Sequence, residues 1–257
     1  HLTATYDGSG LFSGIKIYID GVSQSLTDHS IGSYTGMSNT TAPVSIYCRD
    51  FSTTNTMNGL GDEAILWNKE LTSAEVSELA SDQLNGIDIN PNIPLENIIS
   101  EYKFEDNAND TVGTNNGTPT SLTYADGLVN RTGVFNGSTS IVTVPDSNDL
   151  SFGNGTTDSP FSISCLVNFG DITTNTNQIL VSKLSGTTRE YDLQYFLGKI
   201  YIDVYSDGGI TNYLQVGVPI TATLGTWYHI IGTYNGSGNV SGLNVYIDAV
   251  QGTRAET

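Results

Sequence analysis

Apolar and polar residues alternate along most of this chain, with the period of a β-strand that buries one face. In one clear example, Ile15, Ile17 and Ile19 are separated by Lys16 and Tyr18. Further strand candidates follow at short intervals, with turns rich in Gly, Asn and Ser between them. They span residues 99–104, 140–144, 161–167, 178–183, 191–196, 199–205, 213–216 and 227–234. This spacing predicts an all-β chain folded as an antiparallel two-sheet sandwich.

One segment departs from the alternation and carries the signals of a helix N-terminus. Thr72 and Glu75 have the spacing of a capping box, and Leu71 and Val76 are placed as a hydrophobic staple around it. We therefore predict one short helix over about residues 73–80, and no second helix of more than two turns elsewhere in the chain.

The sequence contains an internal repeat. Residues 1–26 align with residues 229–254 without a gap, at an offset of 228 residues. Each copy has the pattern of a β-hairpin, with Gly residues in the loop where positive φ angles are needed. Identical positions include His1/His229, Thr5/Thr233, Tyr6/Tyr234, Gly8/Gly236, Gly10/Gly238, Ser13/Ser241, Gly14/Gly242, Tyr18/Tyr246 and Asp20/Asp248.

Several short motifs occur in a defined order. They are a strand with an acidic turn at 101–110, Phe-Asn-Gly at 135–137, a strand ending in Pro145, Phe-Ser-Ile-Ser at 161–164, Trp-Tyr-His at 227–229, Tyr-Ile-Asp at 246–248, and Gly-x-x-Asp-Glu with a following Trp and Leu at 59–71. Together they resemble laminin-G-like domains of the concanavalin-A-like lectin and glucanase superfamily. The resemblance implies an all-β, antiparallel concanavalin-A-like jelly-roll β-sandwich with one short helix.

The resemblance also divides the chain. Residues 1–86 resemble the C-terminal part of one laminin-G-like repeat, 87–94 form a linker with two prolines, and 95–257 resemble the N-terminal part of the next repeat. The two parts belong either to consecutive beads of a longer array or to one circularly permuted sandwich. Because two copies of one hairpin cannot occupy one strand position, we expect beads, and we expect strand 62–67 not to pair with strand 99–104.

Charge and cysteine content narrow the range of partners. The 257 residues include 27 acidic and nine basic residues, a net charge of −18, which disfavours binding to nucleic acid and to anionic membrane surfaces. No apolar run is long enough to insert into a membrane. Cys48 and Cys165 lie in apolar strand-like runs, where buried free thiols are expected rather than a disulfide framework.

No arrangement of residues suggests catalysis. The resemblance implies that an active glucanase would carry clustered carboxylates of the Glu-x-Asp-x-x-Glu type, and none occurs here. Asp62 and Glu63 are adjacent on a strand and are expected to point to opposite faces. His1 and His229 occupy the same repeat position and are expected to be packed, hydrogen-bonded residues. We therefore expect the protein not to be an enzyme.

A calcium ion is the cofactor that the resemblance implies, since related jelly rolls hold one between the first and last strands. By resemblance the ligands are Asp62 on the closing strand and Glu105 and Asp106 near the opening strand, and a second candidate is Asp50 in the loop after Cys48. The alternative is that these carboxylates only cap turns and strand ends. For Asp110 the spacing favours an Asx-turn cap.

Three functional hypotheses remain open. The leading one is a non-catalytic adhesion or assembly module, one of the tandem repeats of a large extracellular or virion-surface protein, with glycans, other surface proteins, neighbouring repeats or other subunits as partners. The second is a calcium-dependent lectin or carbohydrate-binding module, and the third is a degenerate glycanase. The tyrosines that could stack on a sugar are Tyr34, Tyr124, Tyr201, Tyr205 and Tyr213.

Overall fold

The fold was analysed in a computed structural model, which describes the backbone of residues 2–6, 15–19 and 22–24 and, further along, residues 38–48, 56–69, 71–84, 97–173, 177–206, 208–209 and 211–253. The strands are β1 Leu2–Tyr6, β2 Ile15–Ile19, β3 Val22–Gln24, β4 Val44–Ile46, β5 Asn58–Trp67, β6 Ile98–Tyr102, β7 Thr118–Thr120, β8 Thr123–Asp126, β9 Arg131–Asn136, β10 Ile141–Val144, β11 Phe161–Phe169, β12 Gln178–Ser185, β13 Thr188–Phe196, β14 Lys199–Tyr205, β15 Tyr213–Pro219, β16 Trp227–Tyr234, β17 Leu243–Ile247 and β18 Val250–Gln251. The α-helix, α1, spans Ser73–Leu84.

Two large antiparallel sheets form the predicted sandwich. The seven-stranded sheet has the order β15-β14-β13-β12-β4-β10-β7. The eight-stranded sheet has the order β18-β17-β16-β11-β5-β9-β8, and β6 also pairs with β5. Alternate residues of both sheets point inward and pack as one core, which includes Ile46, Leu193 and Ile202 of the first sheet and Leu66 and Ile163 of the second. The antiparallel jelly-roll prediction is confirmed.

Strands from the early part of the chain lie in the middle of both sheets. β4 is hydrogen-bonded to β12 on one side and to β10 on the other. β5 pairs with β11 along one edge, while its other edge pairs first with β9 and then with β6. Residues 38–84 and 97–253 therefore complete each other within one sandwich.

This arrangement corrects one expectation from the sequence. Strand 62–67 was expected not to pair with strand 99–104, but Ala64, Ile65 and Leu66 pair with Tyr102, Glu101 and Ser100. The physical reason is that the first and last strands of a jelly roll are neighbours, so the unpaired edge of each is satisfied by the other within one chain. The linker at 87–94 lies outside the described residues.

The two copies of the repeated hairpin have different places. β16, β17 and β18 form one edge of the eight-stranded sheet, whereas β1, β2 and β3 pair only with one another among the described strands. The structure incorporates the second copy in the sandwich.

Helix α1 covers the outer face of the eight-stranded sheet. Its capping box forms as predicted, because Glu75 N donates to Thr72 Oγ1 over 3.3 Å and Thr72 N donates to Glu75 Oε2 over 2.9 Å. The helix ends four residues later than predicted. Within the described residues the other helical segments are single 3₁₀ turns. The apolar side chains between helix and sheet are Ile65, Trp67, Leu71, Val76, Leu79, Ile98, Ile231 and Tyr246.

A buried ion cluster holds residues 38–44 against the seven-stranded sheet. Lys183 is fully buried, and its Nζ lies 2.5 Å from Asp146 Oδ1, 3.2 Å from Glu190 Oε1 and 2.7 Å from the carbonyl oxygen of Ala42. Glu190 also accepts hydrogen bonds from Thr40 N and Oγ1, both over 2.7 Å. Burial raises the pKa of Glu190, and the neighbouring Lys183 opposes that effect.

Replacing Lys183 should destabilise the sandwich strongly. In Lys183→Met the buried carboxylate of Glu190 loses its counter-ion, and breaking a buried pair on one side costs about 3–5 kcal/mol. Urea unfolding of both proteins measures the difference. Lys199→Met is the matched control, since Lys199 is only half-buried and should cost less than about 1 kcal/mol. Equal losses in the two variants would contradict the anchoring role of Lys183.

Candidate functional site

The outer face of the seven-stranded sheet carries a continuous row of polar side chains. The residues next to them in sequence, such as Leu193 and Ile202, point into the core, so the side chains of this polar row point away from it. Each member of the row is the direct cross-strand partner of the next. In order they are Gln215, Asp203, Asp192, Ser182, Ser45, Thr143 and Thr118.

Two carboxyl groups meet at the centre of this row. Asp192 is fully buried and Asp203 is 1% exposed. Asp192 Oδ2 accepts a hydrogen bond from Tyr205 OH over 3.1 Å, and Asp203 Oδ2 accepts one from Gln194 Nε2 over 2.7 Å. Burial, followed by the adjacent Asp192, raises the pKa of Asp203 well above its ordinary value. This raised pKa favours a single proton shared between the two carboxyls.

Three tyrosines surround the carboxyl pair. The rings of Tyr205 and Tyr213 have centroids 5.4 Å apart, and the Arg189 guanidinium lies 5.5 Å from the centre of the Tyr205 ring. Tyr201 lies over Gly217, where an added Cβ would meet the ring at 2.5 Å. Burial and then Asp203 raise the pKa of both Tyr201 and Tyr213, although both side chains remain partly exposed.

The structure thus brings together three of the five tyrosines that the sequence proposed for stacking. Tyr124 lies on β8 in the other sheet, and Tyr34 is outside the described residues. The carboxyl pair was not predicted from the sequence. The structure explains it by the turn between β13 and β14, where Leu197 and Gly198 both have positive φ, as in a two-residue hairpin turn. That turn fixes the register in which Asp192 faces Asp203.

The predicted calcium ligands lie near one turn at the end of the eight-stranded sheet. Asp62 is buried, its Oδ1 accepts from the backbone N of Glu63 over 3.0 Å, and a Cβ added at Gly127 would lie 3.0 Å from its Oδ2. Glu105 Oε1 accepts from the backbone N of Arg131 over 3.4 Å. The fourth candidate, Asp50, is outside the described residues.

The side chain of Arg131 pairs with one of the predicted calcium ligands, Asp106, and with Asp126. Its Nε and Nη2 donate to Asp106 Oδ1 over 3.1 and 3.0 Å, and its Nη1 donates to Asp126 Oδ1 over 2.9 Å. Calcium requires six to eight oxygen ligands. The described residues contain no group of three or more His, Cys, Asp or Glu side chains placed to hold a metal ion. Calcium at Asp62 therefore stays a prediction, and an ion there would compete with Arg131 for Asp106.

The other chemistry-bearing residues have structural roles. His229 is buried with its Nε2 2.6 Å from Ser164 Oγ, and burial lowers its pKa to about 3, so the ring is neutral. Cys48 and Cys165 are both buried thiols, as predicted, and neither belongs to a disulfide. Asp110 caps its turn as predicted, since its Oδ1 accepts from Val112 N and Gly113 N over 3.1 and 2.9 Å.

Asp62 and Glu63 lie at an irregularity that the sequence did not indicate. Between Asp62 and Ile65, two residues of β5 face the single residue Cys165 of β11, which makes a β-bulge. Glu63 has a φ of 45°, in the left-handed region, and both carboxyl groups are fully buried. The simple alternation of faces is therefore interrupted at these two residues.

A groove of about 420 Å³ opens at one edge of the sandwich, between β15 and the β17–β18 turn. Its volume lies in the range of small-ligand sites. The walls are apolar or neutral, and none of the described residues that form them has a carboxylate or amide side chain to orient a polar ligand. The residues that line it are Val218, Pro219, Ile220, Thr221, Ile247, Val250, Gly252 and Thr253.

The fold is a β-sandwich of the lectin-like class. It has two packed antiparallel sheets, with a helix over one outer face and tyrosines and carboxyl groups on the other. Residues 135–257 match the laminin G family model described as the concanavalin A-like lectin/glucanases superfamily. The match agrees with the resemblance that the motif order predicted. Such modules typically bind carbohydrates or other ligands without catalysis, and they are commonly extracellular.

No curated protein and no solved structure shows significant similarity to the chain. Among the described residues, no helix has the length and apolar character needed to cross a membrane.

Replacing Asp203 should stabilise the protein at high pH. Because the pKa of Asp203 is raised in the folded state, ionisation of this carboxyl lowers the free energy of unfolding. This loss is absent below about pH 4 and grows as the pH rises through the folded-state pKa. Asp203→Asn removes the ionisation, so the free energy of unfolding should rise by about 1 kcal/mol or more at pH 8 and change little at pH 4. Urea unfolding at the two pH values measures this.

The control is Asp126→Asn, which removes the same charge from a side chain that is 96% exposed. It should give no pH-dependent gain. A gain for Asp203→Asn that is equal at pH 4 and pH 8 would show that ionisation of this carboxyl is not the cause.

A chelator tests the calcium prediction directly. A structural calcium ion stabilises the folded state, so excess EDTA should lower the melting temperature and added calcium should restore it. An unchanged melting curve would contradict the calcium prediction. In Arg131→Ala, which frees Asp106 and Asp126, stabilisation by calcium should become larger than in the wild type.

Proposed function

We propose that the protein is a non-catalytic glycan-binding module whose ligand lies on the outer face of β14 and β15. The observation that carries this proposal is the position of Tyr201 and Tyr213, which are partly exposed beside Gln215 and next to the Asp192–Asp203 pair. A sugar ring offers an apolar face that stacks on an aromatic ring and hydroxyl groups that bond with amides and carboxyls. On this part of the sheet the partly exposed Tyr201 and Tyr213 supply the aromatic rings and the partly exposed Gln215 supplies an amide.

The buried carboxyl pair orients this surface and does not react with a ligand. Retaining glycosidases hold two accessible carboxyl groups about 5–5.5 Å apart on either side of the scissile bond. Asp192 and Asp203 are almost completely buried and share hydrogen bonds with Gln194 and Tyr205. Asp192 Oδ2 accepts a hydrogen bond from Tyr205 OH, and the Tyr205 ring lies against Tyr213, so the pair orients the aromatic surface through Asp192.

The wider setting that we propose is adhesion or assembly in a large extracellular or virion-surface protein. The support is the repetition of residues 1–26 at 229–254, which is the pattern of repeated modules, together with the net charge of −18. Partners are then glycans, other surface proteins or further modules of the same kind. A calcium-dependent lectin is the alternative, and it rests on Asp62.

Removing an exposed tyrosine should weaken glycan binding without unfolding the protein. A glycan array identifies the ligand, and calorimetry then measures its affinity for Tyr201→Ala and Tyr213→Ala. Loss of one stacking contact of about 1.4 kcal/mol corresponds to a tenfold weaker Kd. Tyr124→Ala is the matched control, since Tyr124 is a partly exposed tyrosine on a strand of the other sheet.

The same titrations separate the alternatives. Affinity that both variants retain, with normal melting curves, would exclude this face as the binding site. Binding that EDTA abolishes would favour the calcium-dependent lectin, and release of shortened glycans during incubation would show that the module is catalytic.

A further inference from the structure

The N-terminal hairpin repeats the edge hairpin of the sandwich in register as well as in sequence. Leu2 pairs with Ile19 and Tyr6 with Ile15, and at the offset of 228 residues Ile230 pairs with Ile247 and Tyr234 with Leu243. The third strand also follows, since Ile19 pairs with Val22 as Ile247 pairs with Val250. The chain therefore contains two hairpins with the same strand register. In its described part, only one of them forms an edge of the sandwich.

The identical residues include those that attach the second hairpin to the rest of the sandwich. His229 bonds to Ser164 of β11, and Tyr234 OH donates to Asp158 while its ring packs 5.8 Å from that of Phe161. Tyr246 packs in the cluster under helix α1. These partners lie outside the hairpin, although Tyr234 OH also accepts a hydrogen bond from Gly238 N within it over 2.7 Å. Hairpin formation alone therefore gives a reason for Tyr234, but the contacts described here for His229 and Tyr246 are made with the rest of the sandwich.

The first hairpin has the same residue types at the three matching positions, His1, Tyr6 and Tyr18. It also keeps Asp20, at the position where Asp248 Oδ1 accepts from His229 N over 2.8 Å. The first hairpin therefore has, in His1 and Tyr18, the residue types with which the second hairpin contacts β11 and the cluster under α1.

Two substitutions make the first hairpin the weaker competitor for that surface. Ala4 stands where the sandwich has Gly232, and a Cβ there would lie 2.7 Å from Ile202 Cδ1. Gln24 stands where the sandwich has Gly252, and a Cβ there would lie 1.8 Å from Val218 Cγ1. Crowding of this kind destabilises a packed site, because the neighbouring side chains must shift. Within one chain the second hairpin is therefore preferred on β11, as the structure shows.

We propose that residues 2–24 are an interchangeable edge hairpin, which docks on β11 of any sandwich of this sequence whose own β16–β18 hairpin is absent or displaced. When that sandwich belongs to a second copy, the docked hairpin connects the two chains. The eight-residue ladder between β11 and β16 is the interface that would form, with β1 in the place of β16.

The connecting segment is long enough for docking within one chain or between two. Ser38 N donates to the carbonyl oxygen of Tyr205 at one end of β14, and Gly252 lies against Val218 near the other end of the neighbouring strand. The length of these strands separates the two places by about 20 Å. Residues 25–37 can span about 40 Å when extended.

Proline substitutions in the full-length chain test the proposal. Gly232→Pro removes an N–H from a central ladder and prevents β16 from pairing normally. The proposal expects this variant to keep a cooperative thermal transition, because the first hairpin replaces the second. Ala4→Pro alone should leave the melting temperature unchanged, and the double variant should lose the transition. If Gly232→Pro alone unfolds as completely as the double variant, the proposal is wrong.

A disulfide trap reports the docked state even where stability is low. Cys165 faces Ile230 across the ladder, so it would face Leu2 if the first hairpin docked. Under mild oxidation Leu2→Cys should bond to Cys165 in the Gly232→Pro background, and mass spectrometry identifies the linked peptides. Ile230→Cys in the wild-type background shows whether this strand position permits the bond.

The expected result is a disulfide between the thiol introduced by Leu2→Cys and Cys165, which disappears when Cys165→Ser is added. A link within one chain or between two supports docking, and a link between two chains shows in addition that the hairpin connects copies. No link from the Leu2→Cys variant, while Ile230→Cys forms one, would overturn the proposal. Adding Ala4→Gly and Gln24→Gly should increase the linked fraction, because both removed side chains crowd the docking site.

Discussion

Hydrogen bonding along both edges of β5 is the interaction on which the rest of the sandwich depends. β5 fills the gap between β11 and the pair β9 and β6, just as β4 fills the gap between β12 and β10. Without these two strands each sheet would split into halves with open edges, which expose unpaired backbone groups. Lys183 and Glu190 hold the segment before β4, and Ser162 of β11 bonds to Leu71 N and Lys69 O at the start of the helix.

Local patterns were sufficient for the strands and the helix, while the pairing of distant strands was not predictable from them. The bounds 199–205 and 227–234 were predicted as found, because period-2 alternation is a local property. The helix begins where the capping box places it. By contrast, the pairing of β5 with β6 depends on which edges are left open in three dimensions. The bulge at Glu63 has a similar origin, since it depends on the opposing strand.

The candidate site was predictable in its aromatic part only. Tyr201, Tyr205 and Tyr213 were recognised as candidates from residue type, but nothing local distinguishes them from Tyr124 on the other sheet. The carboxyl pair is formed by two residues that are 11 positions apart and become neighbours through one hairpin register. At the predicted calcium site, the competing guanidinium of Arg131 comes from a strand that is distant in sequence, so only the fold brings it to Asp106.

The two sheets have different outer faces, and this difference decides where each kind of interaction can occur. Helix α1 covers Ile65, Trp67 and Tyr246 on the eight-stranded sheet, so a ligand cannot reach that part of the face. The seven-stranded sheet has tyrosines and hydrogen-bonding groups on its outer face. Docking of a hairpin by strand pairing does not need an open sheet face, because it uses the backbone edge of β11 and the surface next to that edge. A glycan on β14 and a hairpin on β11 therefore engage opposite sheets, and one module can hold both at the same time.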